Sequence, residues 1–116
     1  MELRLDVDGK QKGSKRIKKV IELLGLKVRY WEIYKTNNGW HHYIGVDNKL
    51  TDLEVVLVQA LMGSDFKREC FNYLRVKSGK FSYDDWNVLF KRKYEVDLVN
   101  GDVKLVSREI KVGVKL

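Results

Sequence analysis

The chain has 116 residues, 44% hydrophobic and 34% charged, the balance of one compact domain, which excludes two independent cores and a large buried catalytic chamber. Twenty-three Lys and Arg against sixteen Asp and Glu give a formal charge of +7, an excess that favours polyanionic partners and is concentrated in residues 1–50, which carry +5 of it. One cysteine, Cys70, and two histidines exclude a disulfide framework and a Cys/His zinc site; with no run of membrane-span length and no hydrophobic leader, the expectation is a cytoplasmic, intracellular protein with no membrane contact.

No proline, low-complexity run or repeat marks a linker, so residues 1–116 read as a single domain. Leu3, Leu5 and Val7 alternate with Arg4, Asp6 and Asp8, the period of a strand with one buried and one polar face. Ser14 is placed to cap a first helix with its apolar stripe at Ile17, Val20, Ile21 and Leu24 and its stop at Gly25. Residues 27–35 and 40–46 read as a hairpin around Thr36-Asn37-Asn38-Gly39. A second helix starts at the capping box Thr51/Glu54, its stripe made of Leu53, Val56, Leu57, Ala60 and Leu61.

Residues 64–76 carry both periods, and the reading is a helix running into a strand. A strand is expected over 87–94, and Asn100-Gly101 predicts a two-residue hairpin turn pairing Leu98 with Val103, Asp97 with Lys104 and Val96 with Leu105. Ile110, Val112, Val114 and Leu116 predict a last strand. The order β, α, β, β, α and strand predicts an α+β fold: a split βαβ, RNA-recognition-motif-like antiparallel sheet with two helices on one face and a C-terminal hairpin or meander.

In the first strand Asp6 and Asp8 share one face, a spacing that lets both reach one hard divalent cation, Mg²⁺ or Mn²⁺. The loop that follows holds Lys10, Lys12, Lys15 and Arg16 and runs into a helix N-terminus, an arrangement suited to anions, although it is no Walker loop. In the hairpin His41 and Tyr43 fall on one strand face and Trp40, His42 and Ile44 on the other, so only one histidine faces any given site. Thr36 and Asn38 in the turn before it allow close approach to a phosphate or sugar. Aromatic residues interleave with basic ones, as in Tyr73-Leu74-Arg75, the composition of an open sheet that stacks single strands.

Leu5-Asp6-Val7-Asp8, a helix ending in Leu23-Leu24-Gly25-Leu26, and Thr36-x-x-Gly39-Trp40-His41 together resemble the first two motifs of the archaeo-eukaryotic primase superfamily, including the polymerase domain of bacterial ligase D. The resemblance spans about residues 3–46. It implies metal-dependent nucleotidyl transfer in DNA replication or repair, with Asp6 and Asp8 as metal ligands, His41 on the nucleotide phosphates, and Thr36 where the family has Ser. Residues 71–79 are similar to the third motif, but Asn72 stands where a carboxylate belongs, which implies an impaired enzyme. Lys10, Lys12, Lys15, Arg16, Thr36, Asn38, His41 and Arg75 are the expected nucleotide and phosphate contacts, and nucleic acid, a nucleotide and another replication protein the expected partners. The alternative is a non-enzymatic basic module that binds DNA or RNA on the same fold.

Overall fold

A computed structural model describes residues 1–89, 92–96, 103–108 and 110–114, the last three stretches as backbone alone except for Lys111. Its elements are β1 (Glu2–Asp8), α1 (Ser14–Leu24), β2 (Val28–Lys35), β3 (Gly39–Val46), α2 (Asp52–Leu61), α3 (Phe66–Ser78), α4 (Tyr83–Trp86), β4 (Arg92–Val96), β5 (Val103–Arg108) and β6 (Ile110–Val114). The fold is α+β. A four-stranded sheet runs in the order β1-β3-β2-β6, and β4 and β5 form a separate two-stranded ladder.

Both β1 and β2 pair antiparallel with β3, so they lie parallel to each other with β3 between them, the split βαβ arrangement expected from the element order. Alternation sorts the side chains. Leu3, Leu5, Val7, Trp31, Ile33, Trp40 and Ile44 point to the helical side and join Ile17, Val55, Val56, Val58, Met62 and Trp86 in one core. Arg4, Asp6 and Asp8 lie on the other face, opposite Tyr43, His41 and Gly39.

The structure revises several expectations. Residues 66–78 are helical throughout, so no strand carries Asn72. The buried face of α3 is polar, Glu69 and Asn72, and a search for apolar periodicity misses it. In α2 the buried residues are Val55, Val56, Val58 and Gln59, while Leu53, Leu57 and Leu61 are 47%, 59% and 45% exposed. That helix is apolar nearly all round, so its pattern did not fix which side faced in; the polar partners of Gln59 did. Leu24 is exposed rather than packed. The strand expected over 87–94 begins only at Arg92, because residues 83–86 form α4, where Trp86 is buried and donates to Asp52 Oδ2 at 3.0 Å.

In the C-terminal ladder Val96 faces Val103 and Glu95 faces Lys104, a slip of two residues from the expected pairing, and the register shifts again between Lys93 and Tyr94. The expected turn at Asn100-Gly101 lies outside the described residues. The expected last strand is β6, which adds to the free edge of β2.

β1 has a free edge on its far side, and a ferredoxin-like sheet would place its fourth strand there. Side chains from the helices close it instead. The Arg4 amide donates to Gln59 Oε1 at 2.9 Å and the Asp6 amide to Ser64 Oγ at 3.1 Å. The Asp6 carbonyl accepts from the Asp65 amide at 2.6 Å and the Arg4 carbonyl from Arg68 Nη1 at 2.9 Å, while the Glu2 carbonyl accepts from the Tyr83 hydroxyl. The edge is thereby satisfied without a strand.

Candidate functional site

The C-terminal end of β1 meets the β2–β3 hairpin, and glycine sets the fit. A Cβ on Gly39 would lie 2.1 Å from the Val7 carbonyl oxygen and 2.9 Å from Asp8 Cα, so only glycine lets the two backbones approach. The Gly9 amide donates to the Asn38 carbonyl at 2.9 Å, and the Thr36 hydroxyl accepts from the Gly39 amide at 3.1 Å. Thr36 therefore builds the turn.

His41 and His42 divide as the strand period requires. His42 is fully buried on the core side. Trp31 Nε1 donates to its Nδ1 at 2.9 Å, so the ring proton sits on Nε2 and is given to the Lys12 carbonyl at 2.7 Å. A neutral imidazole thus ties the β1–α1 loop to the sheet. His41 is 6% exposed on the opposite face, with Nε2 3.6 Å from Asp6 Oδ1.

The turn after α2 adds Asp65 to this face. Its carboxylate caps α3 by accepting from the Arg68 amide at 3.1 Å, and its own amide is held on the Asp6 carbonyl. Burial pushes the Asp6 carboxyl above the usual carboxylate range, with Asp8 and Asp65 adding to the rise and His41 and Arg68 opposing it. Asp8 is raised as well, by burial first and then by the charge of Asp65 and a hydrogen bond to it. Asp6, Asp8 and Asp65 thus form one electrostatically coupled group beside His41. Among the described residues no set of three or more His, Cys, Asp or Glu side chains is drawn together closely enough to hold a metal ion as it stands.

A buried polar network lies behind Asp65. Glu69, 3% exposed, accepts from Ser64 Oγ at 2.7 Å, Gln59 Nε2 at 3.0 Å, Asn72 Nδ2 at 3.0 Å and Arg68 Nη1. Asn72 belongs to this support and not to the carboxylate face, so it does not stand in for a third acid; Asp65 was missed because its signal, an Asp N-cap behind Gly63-Ser64, reads as helix punctuation.

The expected phosphate contacts disperse. Lys10, Lys12 and Lys15 are exposed on the loop and first turn that follow Asp8, and Asn38 is exposed beside them. Lys12 Nζ and Lys35 Nζ lie 5.5 and 4.5 Å from the Trp40 ring centroid. The Arg16 guanidinium is engaged in holding α2, donating to the Leu61 carbonyl at 2.7 Å. Arg75 lies ten residues beyond Asp65, about 15 Å along α3. The α1 cap is Gly13, with φ 75°, and Ser14 makes no capping bond. No described helix is long and apolar enough to cross a membrane. Comparison with protein-family models, curated proteins and solved structures found no match to the chain.

Proposed function

We propose that the chain is a small nucleotidyltransferase domain of the primase-polymerase type, acting on a nucleoside triphosphate and a nucleic-acid end. The observation that carries the reading is the seating of the Asp65 amide on the Asp6 carbonyl, which brings a third carboxylate near Asp6 and Asp8 beside His41. The donor set is all hard oxygen, suited to Mg²⁺ or Mn²⁺, and mutual repulsion together with burial is what a divalent cation would relieve. Asp6, Asp8 and Asp65 would hold the ion, which supplies alignment of an attacking hydroxyl and neutralisation of phosphate charge.

The chain's own residues do the rest. Lys10, Lys12 and Lys15 would offer positive charge to the phosphates on the side of Asp8, and His41, with Nε2 3.6 Å from Asp6 Oδ1, would steady that carboxylate beside them. His42 holds the loop in register for this through the Lys12 carbonyl.

Calorimetric titration of a deoxynucleoside triphosphate with Mn²⁺ tests the reading. Wild type is expected to bind, and Asp6→Asn/Asp8→Asn and Asp65→Asn each to lose at least tenfold in affinity. Undiminished binding in both variants would refute it. The second reading, a non-enzymatic nucleic-acid module, is favoured by the open geometry of the carboxylates, and predicts strand binding without triphosphate binding.

A further inference from the structure

The sheet does not offer the aromatic platform that the sequence led us to expect. Trp31, Trp40 and Tyr43 are buried, and Tyr30 and Tyr34 are half-buried. Among the described residues the aromatic side chains exposed by more than a third are Phe66, Phe71, Tyr73 and Phe81, at 70%, 57%, 44% and 43%, and all fall within residues 66–81. The same stretch contains Lys67, Arg75, Lys77 and Lys80, all exposed, and its one acid, Glu69, is buried in the network beneath. The outward surface of α3 and the turn after it is therefore aromatic and cationic around the exposed Cys70 and Leu74, with no exposed carboxylate of its own.

Charges and rings are also arranged together. The Arg75 guanidinium carbon lies 6.0 Å from the centroid of Phe71, and Lys77 Nζ lies 5.7 Å from that of Tyr73. The centre of a protein–protein interface is depleted in lysine, whereas here lysines interleave with the rings. A ligand that brings flat apolar faces and regular negative charge meets both features, and single-stranded nucleic acid is that ligand. The outer stripe of α2, Leu53, Leu57 and Leu61, is aliphatic and offers no such pairing.

We propose that the outer face of α3 binds single-stranded nucleic acid, with bases stacking on Phe66 and Tyr73 along one flank and on Phe71 across Leu74 from them, and phosphates meeting Lys67, Arg75 and Lys77. The helix is about 20 Å long, room for a few nucleotides, and Asp65 caps its start, so a strand laid along it leads to the carboxylates. The site uses neither a metal nor Asp6 and Asp8. It goes beyond the nucleotidyltransferase reading and stands without it.

The test is fluorescence anisotropy of a labelled oligothymidylate in EDTA, at low and at high salt. Wild type is expected to bind, and Phe71→Ala/Tyr73→Ala to weaken binding about tenfold or more per ring, while Phe71→Tyr/Tyr73→Phe keeps it. Lys67→Gln/Lys77→Gln is expected to reduce the logarithmic salt slope by about 1.4. Asp6→Asn/Asp8→Asn should leave binding unchanged, so failure of the carboxylate reading does not touch this one. All of the α3 positions substituted are exposed, and a circular-dichroism melt confirms that each variant folds. Wild-type affinity in the alanine variant, or no salt-dependent binding by wild type, overturns the proposal. So does sedimentation showing self-association that the same substitutions abolish, which makes the face a protein interface.

Discussion

Replacing Arg68 by Met removes a guanidinium that fastens three segments to one another while keeping most of its hydrocarbon stem. Nη1 donates to the Arg4 carbonyl on β1 at 2.9 Å and to the Glu69 carboxylate, and Nη2 donates to Asn87 Oδ1 at 3.0 Å and the Val88 carbonyl at 3.1 Å. The pair is secluded, with side chains 12% and 3% exposed. Removing one partner of a buried ion pair strands the other charge and costs about 3–5 kcal/mol, and total stability for a domain of this size is about 5–15 kcal/mol. We expect a loss of about 4 kcal/mol, and with a urea slope of about 2 kcal/mol per molar the midpoint falls by about 2 M. Fluorescence reports it directly, since Trp31, Trp40 and Trp86 are all buried. Arg68→Met/Glu69→Gln should recover about half the loss, because the amide oxygen still accepts from Gln59 and Asn72 and its nitrogen can donate to Ser64. A loss below about 1 kcal/mol, the scale of a surface pair, refutes the argument, as does a double variant no more stable than the single one.

Asp8→Asn should stabilise the fold at neutral pH. A carboxyl whose folded pKa is raised costs nothing below its unfolded value and its full penalty above its folded value, so the advantage of the variant should shrink as pH falls through that window; a constant advantage in pH-dependent melts sinks the idea. Gly39→Ala should cost about 3 kcal/mol in thermal unfolding, because its Cβ would collide with the β1 backbone, which cannot rotate away as a side chain could. His42→Leu should accelerate tryptic cleavage at Lys10 and Lys12 well before global unfolding, since it removes the donor that holds the Lys12 carbonyl; an unchanged digestion rate counts against that tether.

Where one period dominated, the sequence was informative. β1, α1, the β2–β3 hairpin and the opposite orientation of His41 and His42 follow from alternation, from the apolar spacing around Ile17 and from the turn before Gly39. Asp6 and Asp8 on one face were visible for the same reason. Asp65 was not, because its partnership with them arises from long-range placement of a helix cap on the Asp6 carbonyl. The inward face of α3 was hidden by being polar: Glu69 and Asn72 are buried for hydrogen bonds, and no hydropathy pattern marks them. The apolar outer residues of α2 and α3 misled in the opposite sense, since exposed leucines and phenylalanines read as core. In the β4–β5 ladder the Asn-Gly signal set the expected register, and the observed pairing of Val96 with Val103 lies two residues away from it.

These misses share a structural cause. A fourth strand beside β1 would satisfy its outward amides and carbonyls by repetition, and its sequence would carry a period. Here Gln59, Ser64, Asp65, Arg68 and Tyr83 each satisfy one group from a different place in the helical segment, so the work of a strand is distributed over residues with no common spacing. The arrangement also couples stability to the site. The Asp6 amide rests on Ser64 Oγ, which donates to Glu69, and the Asp6 carbonyl rests on Asp65, so the strand that presents two carboxylates is held by the turn that presents the third. A strand pairing in that position could slip by two residues and leave its face unchanged. Pairing with the Ser64 hydroxyl and the Asp65 amide admits one register only, and that register places Asp65 beside Asp6.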